Sequence, residues 1–394
     1  MKKAIYDYEL ENKRVIIRCD LNVPLKNGVI DNDNRIVMSI PTIKYAIEHN
    51  AKVILMSHLG RVEKEEDRNT NSLSVVAKRL SELLNQEVIF CNETKGAALE
   101  SIISNLGCGQ VVLVENTRFE DLDGKKESKN DAELGKYWAS LGDIFINDAY
   151  GSSHRAHAST VGIPSNIPSG VGYLVQKEVS ALEEILNEPK HPFIVILGGA
   201  KVADKIGVIE NLMPKADKIL IGGGMAYTFY KAQGHEIGKS ICDVNSIEFC
   251  KRILETYGDK IVLPIDVNVG VEFSPSTTSR ICDIDGIRSN EMGMDIGVQT
   301  IKLFEKIISE SKTFIWNGPI GVFEFDRFNI GTRKICEKLA TSGARVLVGG
   351  GDSASAAIKF GFKDKFYHIS TGGGATLEFL EGKELPGISI IENK

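Results

Sequence analysis

Residues 193–206 read FIVILGGAKVADKI, and the fold follows from how this stretch divides. Its first five residues are apolar without interruption and too few for a buried helix, which marks a buried parallel strand. The run stops at Gly198-Gly199, and a helix carrying Lys201, Asp204 and Lys205 in its opening turns is expected to follow. Paired glycines let backbone amides approach an anion, and a helix start adds partial positive charge there. A lysine so placed neutralises a phosphate, although a plain strand-to-helix turn with a solvated lysine accounts for the same letters. Recurrence separates the two readings. Strand, glycine cluster and helix return in KILIGGGMA (218–226), ARVLVGGGDSAS (344–355) and FYHISTGGGAT (366–376), and KTFIWNGPIGVFE (312–324) adds a strand ending in Asn317, Gly318 and Pro319.

The first half of the chain shows the same alternation with different strand ends. KRVIIRCD (13–20), AKVILMSH (51–58), VVLVENTR (111–118) and DIFINDAY (143–150) have strand length, and helical patterns such as Val37 to His49 and Leu73 to Leu84, the second opened by Ser72, lie between them. This is βαβ grammar, so an α/β fold of two doubly wound, Rossmann-like parallel-sheet domains is predicted. Ligands of open α/β sheets lie outside the carboxyl ends of the strands. There the first strand gives Arg18, Asp20 and Asn22 with Arg35 soon after, the second His58 and Arg61, the third Arg118, and the fourth His154, Arg155 and His157. Arginine holds phosphate or carboxylate through a planar fork of donors, so this crevice is expected to take a small, multiply anionic ligand. Solvated surface arginines are the plainer alternative, with Asp20 merely pairing Arg18 or Arg35 and residues 31–34 forming a turn. His154 and His157 lack a third ligand at zinc-site spacing, so an anion-facing or loop role is preferred over a metal.

Composition narrows the classes. The 394 residues suffice for two ordinary domains, and a net charge of −6 argues against nucleic acid as a partner. The N-terminal MKKAIYDYELENKR has no apolar core of a signal peptide, and no stretch approaches membrane-spanning length. Seven cysteines without a CxxC pair read as reduced residues of a cytoplasmic protein. The Pro/Gly/Ser-rich GIPSNIPSGVG (162–172) reads as a boundary. After it, YLVQKEVSALEEILNE (173–188) sets Val175, Val179, Leu182, Ile185 and Leu186 on one helical face before Pro189 and Pro192. It is a hinge element between two halves or an ordinary surface helix.

The glycine-lined strand ends of the second half suit a nucleotide held by backbone amides, with Asp352 as a candidate Mg²⁺ ligand. In GGGAT (372–376) helix amides would face a phosphoryl group in transfer. GHEIGKS (234–240) imitates a phosphate-binding loop but separates its glycines by three residues where four are needed. GGGDSA (349–354) matches a dinucleotide fingerprint, yet His368-Ile369-Ser370-Thr371 stands where a ribose-binding acid belongs, which weakens an NAD-dependent dehydrogenase. Two crevices with different offers fit a kinase that closes on two substrates. A two-lobed protein that binds one anion without chemistry is the competing class, and it usually carries a secretory signal. No nucleophile elbow, HExxH or HRD motif is present, and an acceptor that is already an ionised carboxylate needs no general base.

RCDLNVP (18–24), SHLGR (57–61), ENTRFE (115–120), SSHRAHAST (152–160), GGAKVADKI (198–206), WNGPIGVFE (316–324), GGGDSA (349–354) and STGGGATLEFLEGKELPG (370–387) together resemble the phosphoglycerate kinase family, in order and across nearly the whole chain. The resemblance implies Mg-dependent, reversible phosphoryl transfer between 1,3-bisphosphoglycerate and ADP, giving 3-phosphoglycerate and ATP in glycolysis. It further implies a cytoplasmic monomer with hinge closure of two domains. By the same resemblance residues 1–172 bind phosphoglycerate, 173–188 form the hinge helix, 189–386 bind nucleotide, and 387–394 return to the N-terminal domain. It assigns Asp20, Leu21, Asn22, Arg35, His58, Leu59, Gly60, Arg61, Arg118 and Arg155 to phosphoglycerate. Gly199, Ala200, Lys205, Gly293, Asn317, Glu324, Gly350, Gly351, Asp352 and Ser353 fall to the nucleotide, with Asp352 on the metal and Asp204 orienting the lysine cluster. Arg35, Lys201, Gly372 and Gly373 flank the transferred phosphoryl. Val62 and Val298 stand where the family usually has proline, Ser353 replaces threonine, and residues 150–153 vary; none of these removes a charge the reaction needs.

Overall fold

The computed structural model describes all of residues 1–394. The chain forms two compact units, Met1–Ser180 with Glu384–Lys394, and Ala181–Lys383. The first is built on a six-stranded sheet in the order Val88–Cys91, Val111–Val114, Lys52–Met56, Arg14–Cys19, Ile144–Asp148 and Ser169–Val171. Every pairing is parallel, and the central strand sets Val15 beside Val53 on one side and Ile144 on the other. Parallel strands demand crossovers, and helices Asn34–Glu48, Ser74–Leu84, Ala97–Ser104 and Ala132–Ser140 supply them. Val15, Ile17, Val53, Leu55, Val111 and Leu113 share a core with Ile36, Ile43, Val76 and Leu80 of the first two helices. The alternate residues Ile16, Ile54 and Val112 point to the opposite face and are equally buried, which is why these strands carry apolar runs and not alternation.

Two features of this sheet depart from the sequence reading. Val88–Cys91 lies at the edge of the sheet with its middle residues only partly buried, so it does not stand out from its surroundings. Ser169–Val171 is an edge strand inside the stretch read as a boundary, where Gly170 leaves room for Tyr8 and the Ala4 backbone. The chain ends meet here: Lys2 bridges Asn393, Ala4 bridges Val171, and the Gly387 amide donates to the Ser153 carbonyl at 2.9 Å.

The second unit repeats the plan with the order Ile261–Val262, Lys218–Ile221, Phe193–Leu197, Thr313–Asn317, Arg345–Gly349 and His368–Ile369, again all parallel. Ile194, Ile196, Phe314, Trp316, Val346 and Val348 pack with Ile301, Phe304, Ile308, Ile335 and Leu339 from helices Val298–Ser309 and Ile330–Thr341. An additional antiparallel sheet was not anticipated. Asp266–Gly270 pairs with Arg280–Asp283 on one side and Met292–Ile296 on the other. The Arg280–Asp283 strand is partly exposed along its length, so it lacks the apolar run that betrays the others. In residues 193–206 the helix starts later than expected. The strand ends at Leu197, a short 3₁₀ turn occupies Ala203–Lys205, and the helix begins only at Ile206, so Lys201 stands in the loop ahead of it.

Helix Tyr173–Asn187 starts in the first unit and ends in the second. Its first amides find side-chain acceptors: Tyr173 N–H donates to Thr42 Oγ1 and Leu174 N–H to Asp148 Oδ1, both at 2.9 Å. The other carboxylate oxygen of Asp148 is buried without a partner, and burial pushes this acid up to about 6. An unfolded aspartate titrates near ~3.9, so the contribution is fully present below that value and is lost as pH rises through the folded value. We expect Asp148→Asn to remove about 2 kcal/mol of stability change between pH 4 and pH 7.5. Urea unfolding of both proteins at the two pH values checks this, and parallel pH dependences would contradict it.

Candidate active site

In the first unit the carboxyl ends of four adjacent strands lie along one sheet edge, and the loops leaving them carry the residues singled out above. Polar side chains stitch these loops together. Asn22 Oδ1 accepts from Gly60 N–H at 2.8 Å, and Ser57 Oγ accepts from Leu21 N–H at 2.9 Å. Asn116 Oδ1 accepts from Leu59 N–H at 3.2 Å and from Arg118 N–H at 3.1 Å. Leu21 and Leu59 bury their side chains in the core, so only their backbones face the edge. Gly60 has φ +63°, and a Cβ there would press on the Asn71 amide, so both conformation and space require glycine.

The charges divide into tethered and free. Arg35 pairs with the buried Asp20 carboxylate, which settles that partner in favour of Arg35 over Arg18. Arg61 and Arg155 are exposed, and neither they nor Arg118 pairs with a carboxylate; Arg155 Nε lies 3.1 Å from His154 Nε2. Arg118 Nε is buried and makes no hydrogen bond. Burial lowers the Arg118 pKa, and repulsion from Arg155 and Arg61 adds to it against the pull of Asp121 and Glu127. Unsatisfied donors among like charges are what an anion would relieve.

Arg18, expected at the crevice, is fully buried and does not line it. Its Nε donates to Ser159 Oγ at 2.8 Å, one terminal nitrogen to the Cys19 carbonyl at 2.5 Å, and the other lies 3.2 Å from His58 Nδ1. His58 has its pKa lowered well below the usual imidazole value by burial, then by Arg18 and Arg118. His157 is buried and pushed down to about 3 by burial with Arg18 and Arg118 nearby. Both rings are therefore neutral near pH 7.

The second unit holds a cavity of about 320 Å³ at the carboxyl edge of its parallel sheet. Gly199, Ala200, Gly223 and Gly224 form one wall, Gly293 and Met294 another, and Pro319, Glu324 and Asp352 reach it from neighbouring loops. The glycines act differently from expectation. Gly198 and Gly199 donate their amides to the Asn317 and Pro319 carbonyls at 3.0 Å, and Gly223 donates to Ile320 at 2.7 Å. These amides are occupied, and a Cβ on Gly198 would collide with the Pro319 carbonyl. Those two clusters thus let strand-end loops close on each other and leave a thin wall. Gly293 likewise makes room for the Tyr227 hydroxyl.

Amides remain available at the third cluster. Gly350, at φ +88°, precedes helix Gly351–Lys359, whose first N–H groups have no partner within the helix. Asp352 in its first turn is exposed and free of ion pairs. Ser353 turns inward, and its hydroxyl accepts from Gly318 N–H at 2.6 Å. Lys205 donates to Asn317 Oδ1, and burial lowers its pKa against the pull of Asp204 and Asp352. Lys201 is exposed. Gly372 donates to Ser370 Oγ at 3.2 Å, and Gly373 caps the short helix Gly374–Leu380. The sequence reading missed the apolar wall of Tyr227 and Met294, because pocket and core use the same residue types.

Comparison with known proteins agrees throughout the chain. The family model described as phosphoglycerate kinase matches residues 5–383. A phosphoglycerate kinase of Fusobacterium nucleatum is 58% identical over 398 residues, and one of Listeria innocua is 56% identical over 394, each covering 100% of both chains. The solved phosphoglycerate kinase of Coxiella burnetii superposes with a TM-score of 0.91 at 42% identity, covering 99% of this chain and 98% of that one. The enzyme of Pyrococcus horikoshii OT3 gives 0.85 at 33% identity, covering 98% of each chain. The chain belongs to the phosphoglycerate kinase family.

Proposed function

We propose that the first unit binds the phosphoglycerate and the second binds ADP or ATP, and that phosphoryl passes between the C1 carboxylate and the β-phosphate. As a family member the chain is a glycolytic phosphotransferase with small-molecule substrates, one of them a nucleotide. The observation that carries the division of labour is the set of unpaired guanidinium groups on the first sheet edge, with the buried, unsatisfied Nε of Arg118 among them. The cavity bounded by glycines and apolar side chains, beside a helix with free amides, suits a base and its phosphate chain.

The acceptor carboxylate is ionised at neutral pH, so no residue need remove a proton. Arg118, Arg155 and Arg61 hold the anion, Asn22 and His58 orient it, and Asp20 keeps Arg35 aimed. Arg35 and Lys201 then balance charge on the equatorial oxygens of the transferred group, with Gly372 and Gly373 beside it. Asp352 is a hard, exposed oxygen donor at the cavity, which fits Mg²⁺ bound through one carboxylate plus phosphate and water. The bound ion would neutralise the phosphate chain. Lys205 and Asn317 hold each other next to it, while Gly350 and Gly351 bring backbone to the phosphates. The proposal includes closure of the two units about helix Tyr173–Asn187 and a cytoplasmic monomer that does not engage nucleic acid; the seven free cysteines accord with a reducing compartment.

A coupled assay with 3-phosphoglycerate and Mg·ATP tests this. Lys201→Ala should lower kcat about 100-fold or more while leaving thermal unfolding unchanged, because the side chain is exposed. Retained turnover would remove its assigned role. Arg118→Gln should raise the KM for 3-phosphoglycerate roughly tenfold and leave the KM for ATP within about twofold. A rise in the ATP value alone would reverse the assignment of the two units.

A further inference from the structure

Glu127 lies outside the crevice and carries no role in the reading above, yet its side chain is fully buried. Its two oxygens grip one residue: Ser159 N–H donates to Oε2 at 2.9 Å and Ser159 O–H to Oε1 at 2.5 Å. The Glu127 carbonyl also accepts from Ala158 N–H at 2.9 Å. The same Ser159 oxygen accepts from Arg18 Nε, so carboxylate, hydroxyl and guanidinium form a continuous chain. The chain ends at His58 Nδ1, 3.2 Å from Arg18. A guanidinium has only donors, so His58 must present the lone pair of Nδ1 to it and carry its proton on Nε2. Burying Arg18 without an acid nearby would leave a bare charge in a dry interior, and Glu127 is its strongest favourable charge partner.

We propose that Glu127 is a positioning residue for phosphoglycerate binding: through Ser159 it holds Arg18, which locks His58 in the Nε2–H form. The ring then offers the ligand an N–H donor without adding a fourth unpaired charge to a crevice that already holds Arg61, Arg118 and Arg155. The functional half rests on the reading of His58 as a phosphoglycerate contact; the tautomer half does not.

The experiment uses the full chain with ¹⁵N-labelled histidine, free of ligand, at pH 7. His58 is assigned by its disappearance from the spectrum of His58→Gln. Long-range proton–nitrogen correlation should show Nε2 protonated and Nδ1 bare; a proton on Nδ1 overturns the proposal outright, whatever the variants do. Glu127→Gln and Ser159→Ala should each convert His58 to an exchanging tautomer mixture. Each should also raise the KM for 3-phosphoglycerate roughly tenfold, with kcat and the KM for ATP within about twofold. A residue that only supports the fold would lower the melting temperature without moving the tautomer. Unchanged tautomer and unchanged KM in a folded Glu127→Gln overturn the positioning role. If His58→Gln itself binds 3-phosphoglycerate as well as the parent, the ligand reading of His58 falls, and that result is distinct from a failure at Glu127.

Discussion

Strands that are apolar on both faces must be covered on both faces, and here parallel pairing meets that constraint with helical crossovers. Everything else depends on it. Each strand of a six-stranded sheet is entered from one end and left at the other, so every outgoing loop emerges along a single edge. The strands are buried almost end to end, and their polar residues, among them Arg18, Asn147, Asp148 and Asn317, sit at or next to the strand ends. Chemistry is left to the turn after each strand, and both units present theirs on the carboxyl edge.

The two edges solve different recognition problems. The first gathers side-chain charge and leaves part of it unsatisfied, so a bound anion would relieve a cost the free protein carries. It also separates charges by task. Arg35 is tethered by Asp20, and Arg18 is withdrawn into the interior, where it orients a neighbour. The second edge spends its glycines on proximity. Gly198, Gly199 and Gly223 bond to opposing loops, and the thin wall this creates bounds a cavity beside the free amides of helix Gly351–Lys359.

The sequence carried the parallel sheets well, since FIVIL, KILI and the glycines that stop them have few other readings. It carried the positions of Arg61, Arg118 and Asp352 for the same reason: each follows a strand that can be recognised. Interactions between distant segments were invisible. Nothing in the letters shows that Glu127 and Ser159 meet, or that Arg18, one residue inside a strand end, turns inward. The glycine clusters misled in detail, because a glycine needed for close packing and one needed for an anion look alike until the opposing loop is in view. The antiparallel sheet of residues 266–296 escaped because polar residues and glycine interrupt its strands and its outer strand is partly exposed.

The central claim is that each ligand has its own unit. Hydrogen exchange of the full chain, measured by mass spectrometry with one ligand at a time, tests it most directly. With 3-phosphoglycerate alone, protection should rise in peptides spanning 18–22, 57–61, 116–120 and 152–160. With Mg·ADP alone, it should rise in peptides spanning 198–205, 290–296 and 348–356. Protection of the same unit by both ligands, or of neither edge, would contradict the account.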